Sequence, residues 1–267
     1  MSRPQSRTVK LALAQILVEG GALESNLSRI TAAVADAAAA GADIIVLPEA
    51  ADLGWAHPSA IECAGVIPGG ATVDVCRGLA RRYNIWMCIG LTERDSNCPD
   101  QYYNAAVLID RQGTIQLHHR KVHELDFARE LYTIGDRLAV ANTAEFGRIG
   151  VMICADAFVT DRVISRSLGQ MGARLLLSPC AWAVTADHDN HADPYGQLWL
   201  DSYSPVAKEF RVWIVGVSNV GPINAGSWKG RKCVGNSLVF APDGEAHLQA
   251  PYGETAEGVF YAEIVME

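Results

Sequence analysis

The sequence of 267 residues predicts an α/β fold that contains a mixed sheet. Segments whose apolar residues recur at helical spacing alternate with short apolar segments that are typical of strands. The strand predicted at residues 44–47 is apolar at every position, which is typical of a strand buried on both faces by helices. Two further pairs of predicted strands are joined by turns at residues 110–113 and 242–244, so hairpins are inserted among the parallel units.

The first half of the chain alternates strands and helices. Residues 8–15 are apolar or small at most positions and predict the first strand. Leu27, Ile30 and Val34 recur at helical spacing, which predicts a helix at residues 26–40. The other elements predicted in this half are a helix at residues 73–83 and strands at residues 85–91, 103–109 and 114–118.

The second half begins with a buried strand that ends at Cys154, because residues 150–153 are small or apolar. A helix follows shortly afterwards, with one apolar face formed by Val163, Ile164, Leu168 and Met171. The other elements predicted here are a helix at residues 198–210, which contains Pro205, and strands at residues 175–177, 212–217, 237–241, 246–249 and 258–263. No repeat, low-complexity segment or linker interrupts the pattern, so we expect one domain over residues 1–267.

The composition narrows the functional class. With 49% hydrophobic and 19% charged residues, the chain has the balance of an ordinary globular protein and is long enough to bury a sizeable core. Its net charge of -8, without a cluster of Lys and Arg, argues against a nucleic-acid partner. The sequence has no run of 18 apolar residues and no secretory apolar core, so we expect no membrane partner and a cytoplasmic location.

The seven cysteines include no CxxC pair, which argues against a zinc ribbon or a thioredoxin motif. We expect seven reduced thiols in a reducing compartment. His118, His119 and His123 are close together but lack carboxylates or cysteines at metal-ligand spacing, so we expect no metal there.

Three reactive residues occupy the same kind of position. Glu49, Lys121 and Cys154 each come just after the end of a predicted buried strand. Because strand ends in α/β folds meet at an edge of the sheet, we expect the three side chains to come together at one edge. A carboxylate, an amine and a thiol in one place are the components of an acyl-transfer site.

Each residue has a role in such a site. The thiolate of Cys154 is the nucleophile, and a nearby Lys121 ammonium and backbone N–H groups favour it. Glu49 serves as general base, while Lys121 and the N–H of Ala155 stabilise the negative charge on the attacked group. Cys180 is the rival nucleophile, since it follows the strand at residues 175–177, but it comes after a proline and lacks a following acid.

The motifs around these residues resemble the nitrilase superfamily of carbon–nitrogen hydrolases, and they span nearly the whole chain in the family's order. The matching segments are residues 12–15, 26–27, 41–49, 54–55, 103–113, 120–123, 150–156, 235–237 and 242–244, together with Trp199 and Glu209. The resemblance implies an α-β-β-α sandwich of two mixed sheets, which becomes four-layered α-β-β-α-α-β-β-α in a homodimer or higher homo-oligomer. It also implies a Glu-Lys-Cys triad that hydrolyses a small amide through an acyl-enzyme, without a metal or organic cofactor.

The family pattern leaves some assignments open. Many members carry a second active-site glutamate, for which the spacing before Gly135-Asp136 favours Glu130, with Glu124 and Asp126 as alternatives. Aromatic residues near the catalytic segments are candidates for substrate binding: Trp55, Tyr132 and Trp182.

The substrate and the activity also have alternatives. The arginine pair that clamps a carboxylate in carbamoylases has no counterpart after Cys154 unless Arg162 or Arg166 supplies it. A small amide is therefore the favoured substrate, with a nitrile or a carbamoyl compound as the alternative. A silent binding protein of the same fold is the alternative from another functional class.

Overall fold

The computed structural model describes residues 6–266, which form two mixed β-sheets packed face to face with helices on both outer faces. The helices are α1 (Leu23–Ala39), α2 (Ala60–Cys63), α3 (Ala71–Tyr83), α4 (Val163–Gln170) and α5 (Gln197–Phe210). The strands of the first half are β1 (Arg7–Gln15), β2 (Ile44–Val46), β3 (Trp86–Arg94), β4 (Tyr102–Ile109) and β5 (Ile115–Arg120). Those of the second half are β6 (Val140–Thr143), β7 (Gly147–Val151), β8 (Leu175–Cys180), β9 (Ala183–Val184), β10 (Trp213–Ser218), β11 (Val220–Pro222), β12 (Lys232–Val234), β13 (Leu238–Phe240), β14 (Ala246–Gln249) and β15 (Gly258–Met266).

The first sheet has the strand order β15-β1-β2-β3-β4-β5. Its centre is parallel, with Leu11 opposite Ile44 and Ile44 opposite Trp86, and the outer pairs are antiparallel. The second sheet has the order β14-β13-β10-β8-β7-β6, again with parallel strands at its centre, β10, β8 and β7. A small third sheet has the order β11-β12-β9. The predicted α/β class, the two mixed sheets and both hairpins are confirmed.

The main core lies between the two large sheets, and the alternation of side chains along each strand explains it. In β1, Leu11 and Leu13 point into this core, which also contains residues of the second sheet such as Val151 and Leu177. Ala12 and Ala14 point the other way, toward the helices. Small side chains on that face let the helical layer approach the sheet closely.

Each outer face is covered by a pair of helices. α1 and α3 cover the first sheet with an apolar stripe that includes Ile30, Val34 and Cys76. α4 and α5 cover the second sheet with Leu168, Trp199 and other residues. The layers therefore run α-β-β-α, as the resemblance implies, and the further pairing of two such sandwiches stays a prediction.

Some sequence expectations differ from the structure. The strand predicted at residues 175–177 continues to Cys180, since Pro179 is accommodated in β8 opposite Val217. The short strands β6, β9, β11 and β12 have too few residues to display a period, and the sequence prediction missed them. Within residues 6–266, no helix combines the length and the apolar character needed to cross a bilayer.

Candidate active site

The chain turns sharply at Cys154. β7 ends at Val151, and a short 3₁₀ turn begins at Cys154 and ends at Ala157. The φ angle of Cys154 is +43°, in the left-handed region that is unusual for a residue with a side chain. Such backbone strain is concentrated at functional positions, where the surrounding structure maintains it.

Glu49 and Lys121 form a buried ion pair. Glu49 lies in the turn after β2, and Lys121 directly follows β5. The Lys121 Nζ donates a hydrogen bond of 2.7 Å to Glu49 Oε1, and only 1% of each side chain is exposed. Charges removed from water to this extent persist in proteins when they are paired, so the pair is built into the fold.

A second carboxylate and an amide complete the cluster. Glu124 Oε2 lies 3.2 Å from Lys121 Nζ. The Asn104 Nδ2 donates to Glu49 Oε1 at 2.6 Å and to Glu124 Oε1 at 2.8 Å, so one amide group aligns both carboxylates. Asn104 was not predicted from the sequence, because it lies inside β4 among apolar residues and resembles an ordinary strand position.

The structure places Glu124, and not Glu130, beside the Glu49–Lys121 pair. Glu130 ends a 3₁₀ turn at Asp126–Glu130, and its side chain is exposed. Asp126 is exposed as well, whereas Glu124, the other alternative, is buried beside Lys121. The spacing before Gly135 favoured Glu130, whereas the position of Glu124 three residues after Lys121 is the feature that agrees with the observed contact.

Burial and charge act against each other at these groups. Burial opposes the charge of Lys121, but the carboxylates of Glu124 and Glu49 outweigh it and hold the pKa of the ammonium well above its ordinary value. Burial raises the pKa of Glu124, helped by the charge of Glu49, although Lys121 opposes the shift. Lys121 therefore remains charged at neutral pH. Burial makes Glu124 easier to protonate than an exposed glutamate.

The direction in which the pKa of the Cys154 thiol is shifted differs from the sequence expectation. Burial raises its pKa well above the ordinary value, and the neighbouring Cys180 and the charge of Glu49 add to the increase. Lys121 acts in the opposite direction but does not prevail. Burial and these neighbours therefore outweigh Lys121 and disfavour the thiolate at Cys154, which the sequence analysis expected Lys121 and backbone N–H groups to favour.

Asp156 connects the Cys154 turn to the Lys121 segment. Its Oδ2 accepts hydrogen bonds from the Ile153 N–H at 2.9 Å and from His119 Nε2 at 2.8 Å. Its Oδ1 accepts from the N–H groups of Val122 and His123, at 3.1 and 2.8 Å. Asp156 is fully buried, so this carboxylate fixes the residue before Cys154 relative to the two residues after Lys121.

The three predicted residues come from two sheets. Glu49 and Lys121 follow strands of the first sheet, whereas Cys154 follows a strand of the second sheet. The expectation that they share one edge of a single sheet is therefore wrong, because periodicity identifies the buried face of a strand but not its sheet. The Glu49 N–H donates to the carbonyl oxygen of Cys180 at 3.1 Å, which joins the Glu49 turn directly to β8.

Glu49, Lys121 and Cys154 line one cavity of about 160 Å³. Its walls are otherwise almost entirely apolar and aromatic: Trp55, Leu125, Ala155, Phe158, Ala181, Trp182, Ala183, Tyr195, Leu198, Trp199 and Trp228. The predicted substrate-binding residues Ala155, Trp55 and Trp182 are among them. Tyr132 is not, since it is buried behind Trp55, where its hydroxyl accepts a hydrogen bond from the Ala56 N–H at 3.2 Å.

The aromatic walls pack against one another in two groups. Trp182 stacks on Trp199 with ring centres 4.5 Å apart. Trp55 meets Trp228 edge to face at 5.0 Å and lies 5.6 Å from Lys121 Nζ. Over residues 6–266, no three His, Cys, Asp or Glu side chains are grouped in a way that could hold a metal ion.

Comparisons with known proteins identify relatives of this chain. Residues 10–267 match the family described as carbon-nitrogen hydrolase. The chain is 29% identical over 259 residues to a nitrilase from Pyrococcus abyssi, covering 96% of this chain and 89% of the relative. It is 26% identical over 258 residues to an omega-amidase from Xenopus laevis, covering 92% and 86%.

Solved structures of low sequence identity share the fold. An amidase from Nesterenkonia superimposes with a TM-score of 0.79 at 20% identity, covering 96% of this chain and 90% of that chain. A nitrilase-superfamily member from Saccharomyces cerevisiae superimposes with a TM-score of 0.81 at 22% identity, with the same coverage.

Proposed function

Because this chain belongs to the carbon–nitrogen hydrolase family of the nitrilase superfamily, we propose that it is an amidase-type enzyme in which Cys154 attacks a small amide. One observation carries the proposal: a thiol on a strained turn faces the same cavity as a buried carboxylate and a buried ammonium. Such a constellation suits acyl transfer, since it supplies a nucleophile, a base and a positive charge.

In the proposed acylation step, Glu49 takes the proton of the Cys154 thiol as the sulfur bonds to the amide carbon. The pKa of the thiol is raised by burial, so removal of its proton during attack is the role that this site requires of a base. The carbonyl oxygen becomes negative and is stabilised by the Lys121 ammonium and the Ala155 N–H. The carbon–nitrogen bond then breaks, the proton passes from Glu49 to the leaving nitrogen, and ammonia departs from a thioester.

In the proposed deacylation step, a water molecule attacks the thioester carbon and gives a proton to Glu49. The carbon–sulfur bond breaks, the proton returns to the sulfur, and the carboxylic acid leaves. Glu124 and Asn104 do not line the cavity but support both steps through their contacts with the reacting groups. Glu124 pairs with Lys121, and Asn104 donates a hydrogen bond to Glu49. Their role is to keep the ammonium charged and the base aligned.

The test is ammonia release from a panel of amides, nitriles and ureido acids. We expect amides to be the best substrates, Cys154→Ala to lose turnover, and Cys180→Ala to retain most of it. Cys180 is a suitable control because it is a buried thiol at the end of the neighbouring strand, outside the residues that line the cavity. Turnover that survives in Cys154→Ala but not in Cys180→Ala would refute the assignment, and no turnover on any compound would favour a silent binding protein.

A further inference from the structure

Aromatic side chains form the wall of the cavity that we assign to the acyl group of the substrate. Phe158, Trp182, Tyr195 and Trp199 form one wall, in which Phe158 meets Trp199 edge to face at 5.6 Å. The Trp199 Nε1 donates to the Tyr195 hydroxyl at 2.8 Å, whereas the Trp182 Nε1 is buried and has no hydrogen-bond partner among residues 6–266. The wall therefore contains neutral hydrogen-bonding groups but no charge. A surface of this kind gains energy by covering apolar groups of a ligand.

The two charged side chains that line this cavity are paired with each other. Glu49 and Lys121 are the charged residues among those that line it, and they form the 2.7 Å ion pair. Arg162 and Arg166, the two arginines that the sequence left open as substitutes for a clamp, point elsewhere. The Arg162 Nε donates to the Asp201 carbonyl oxygen, and Arg166 pairs with Glu209.

The size of the cavity sets a further limit. Its volume of about 160 Å³ is close to that of an apolar protein cavity of about 150 Å³, which binds benzene. One ring or one branched aliphatic group fills such a space. A carboxylate placed there would lose its hydration without gaining a cationic partner, which is a large cost in an apolar site.

We propose that the cavity selects amides whose acyl group is uncharged and about the size of one ring, and that it rejects the half-amides of dicarboxylic acids. This inference rests on the proposed amidase function and specifies its substrate class. The walls around Phe158 and Trp199 hold the acyl group, while Glu49 and Lys121 are left to the reacting amide.

The experiment uses a pair of substrates of matched shape. In 4-methylpentanamide an isopropyl group occupies the position of the carboxylate in succinamate, so the two differ chiefly in charge. We expect kcat/KM for 4-methylpentanamide and for benzamide to exceed that for succinamate by at least about 100-fold. Equal or better hydrolysis of succinamate would overturn the inference while leaving the amidase function intact.

Binding separates the two proposals if no amide is hydrolysed. The same compounds are then titrated into the Cys154→Ala protein, with the fluorescence of the cavity tryptophans as the signal. Tighter binding of 4-methylpentanamide than of succinamate supports the inference even when the proposed reaction fails. Equal binding, or tighter binding of succinamate, contradicts it.

A substitution at the mouth of the cavity tests the same point by gain of function. Leu198 lines the cavity and is 50% exposed, so an arginine is tolerated there. Leu198→Arg should raise kcat/KM for succinamate at least about tenfold and lower it for 4-methylpentanamide, because it supplies the missing cation. Leu200→Arg is the matched control, since Leu200 is 39% exposed on the same helix but does not line the cavity. An unchanged substrate ratio in Leu198→Arg, or the same change in Leu200→Arg, would count against the inference.

Discussion

Gly90 lies directly against the backbone of Glu49. A Cβ atom added at Gly90 would be 2.5 Å from the Glu49 Cα and 2.7 Å from the Pro48 carbonyl oxygen. The Gly90 N–H also donates to that oxygen at 3.0 Å, so β3 supports the turn that carries the proposed base. Only a residue without a side chain permits this approach.

Gly90→Ala should therefore displace the Glu49 turn. We expect a loss of stability of about 1–3 kcal/mol from overpacking and a fall in kcat on the order of 100-fold, because small displacements of catalytic groups are costly. Urea unfolding and ammonia release measure the two effects. Gly78→Ala is the control, since a Cβ at Gly78 in α3 meets no atom within 4 Å and should add about 0.5–1 kcal/mol of stability.

Glu124 and Glu130 form a second matched pair. Glu124→Gln removes a charge that keeps the Lys121 ammonium ionised and in place, so we expect turnover to fall on the order of 100-fold. Glu130→Gln alters an exposed side chain and should leave turnover unchanged. A larger loss in Glu130→Gln than in Glu124→Gln would restore the assignment that the spacing alone favoured.

Lys121→Ala should lower kcat/KM by about 100- to 1000-fold if the ammonium stabilises the negative oxygen. Lys121→Arg should not restore activity, because a planar guanidinium cannot replace a compact ammonium between two carboxylates. Circular dichroism checks that both variants are folded. A folded Lys121→Ala protein with nearly normal turnover would remove the lysine from the mechanism.

The hydrogen bonds of Asp156 make the stability of the fold depend on pH in the acid range. Burial alone would raise the pKa of this carboxyl, but the hydrogen bond and charge of His119 and the Ile153 N–H hold it below the ordinary value of 3.8. The carboxylate therefore stabilises the fold above pH 3.8, and this contribution is lost as pH falls through the lower pKa of the folded state.

Asp156→Asn should destabilise the protein at pH 7 by about 1.5–3 kcal/mol, since it replaces an acceptor by a donor opposite the Ile153 N–H. Urea unfolding at pH 7 and at pH 3 measures the effect. The difference from wild type should shrink at the lower pH, and a difference that does not depend on pH would contradict the predicted role of the charge.

The pKa of Cys154 leads to a prediction about alkylation. Because burial and the charge of Glu49 raise this pKa, the rate of iodoacetamide labelling at Cys154 should keep rising beyond pH 9. Glu49→Gln removes one cause of the increase, so its labelling profile should shift to lower pH although turnover is lost. Mass spectrometry of the Cys154 peptide gives the rate, with the exposed Cys98 as the reference in the same sample. A labelling rate that levels off below pH 7 would mean that the thiolate is already formed.

The sequence was sufficient to predict that Glu49, Lys121 and Cys154 lie together, but not which residues support them. The three residues were recognisable because each follows a predicted strand. Asn104 has no such signal, since its amide acts from within β4. The choice between Glu124 and Glu130 depends on the path of an irregular segment after β5, which has no period to interpret. The ring-lined cavity likewise draws its residues from segments far apart in the chain.

Glu49 and Lys121 follow strands of the first sheet and Cys154 follows a strand of the second, so the candidate site forms where the two sheets meet. Residues up to Lys121 contain the proposed base and ammonium but not the proposed nucleophile, and residues from β6 onward contain the proposed nucleophile without its base. Neither portion contains all three groups, so the proposed centre forms only through tertiary assembly. The centre is therefore absent from an incompletely assembled chain, and it cannot be transferred to another scaffold as a single loop.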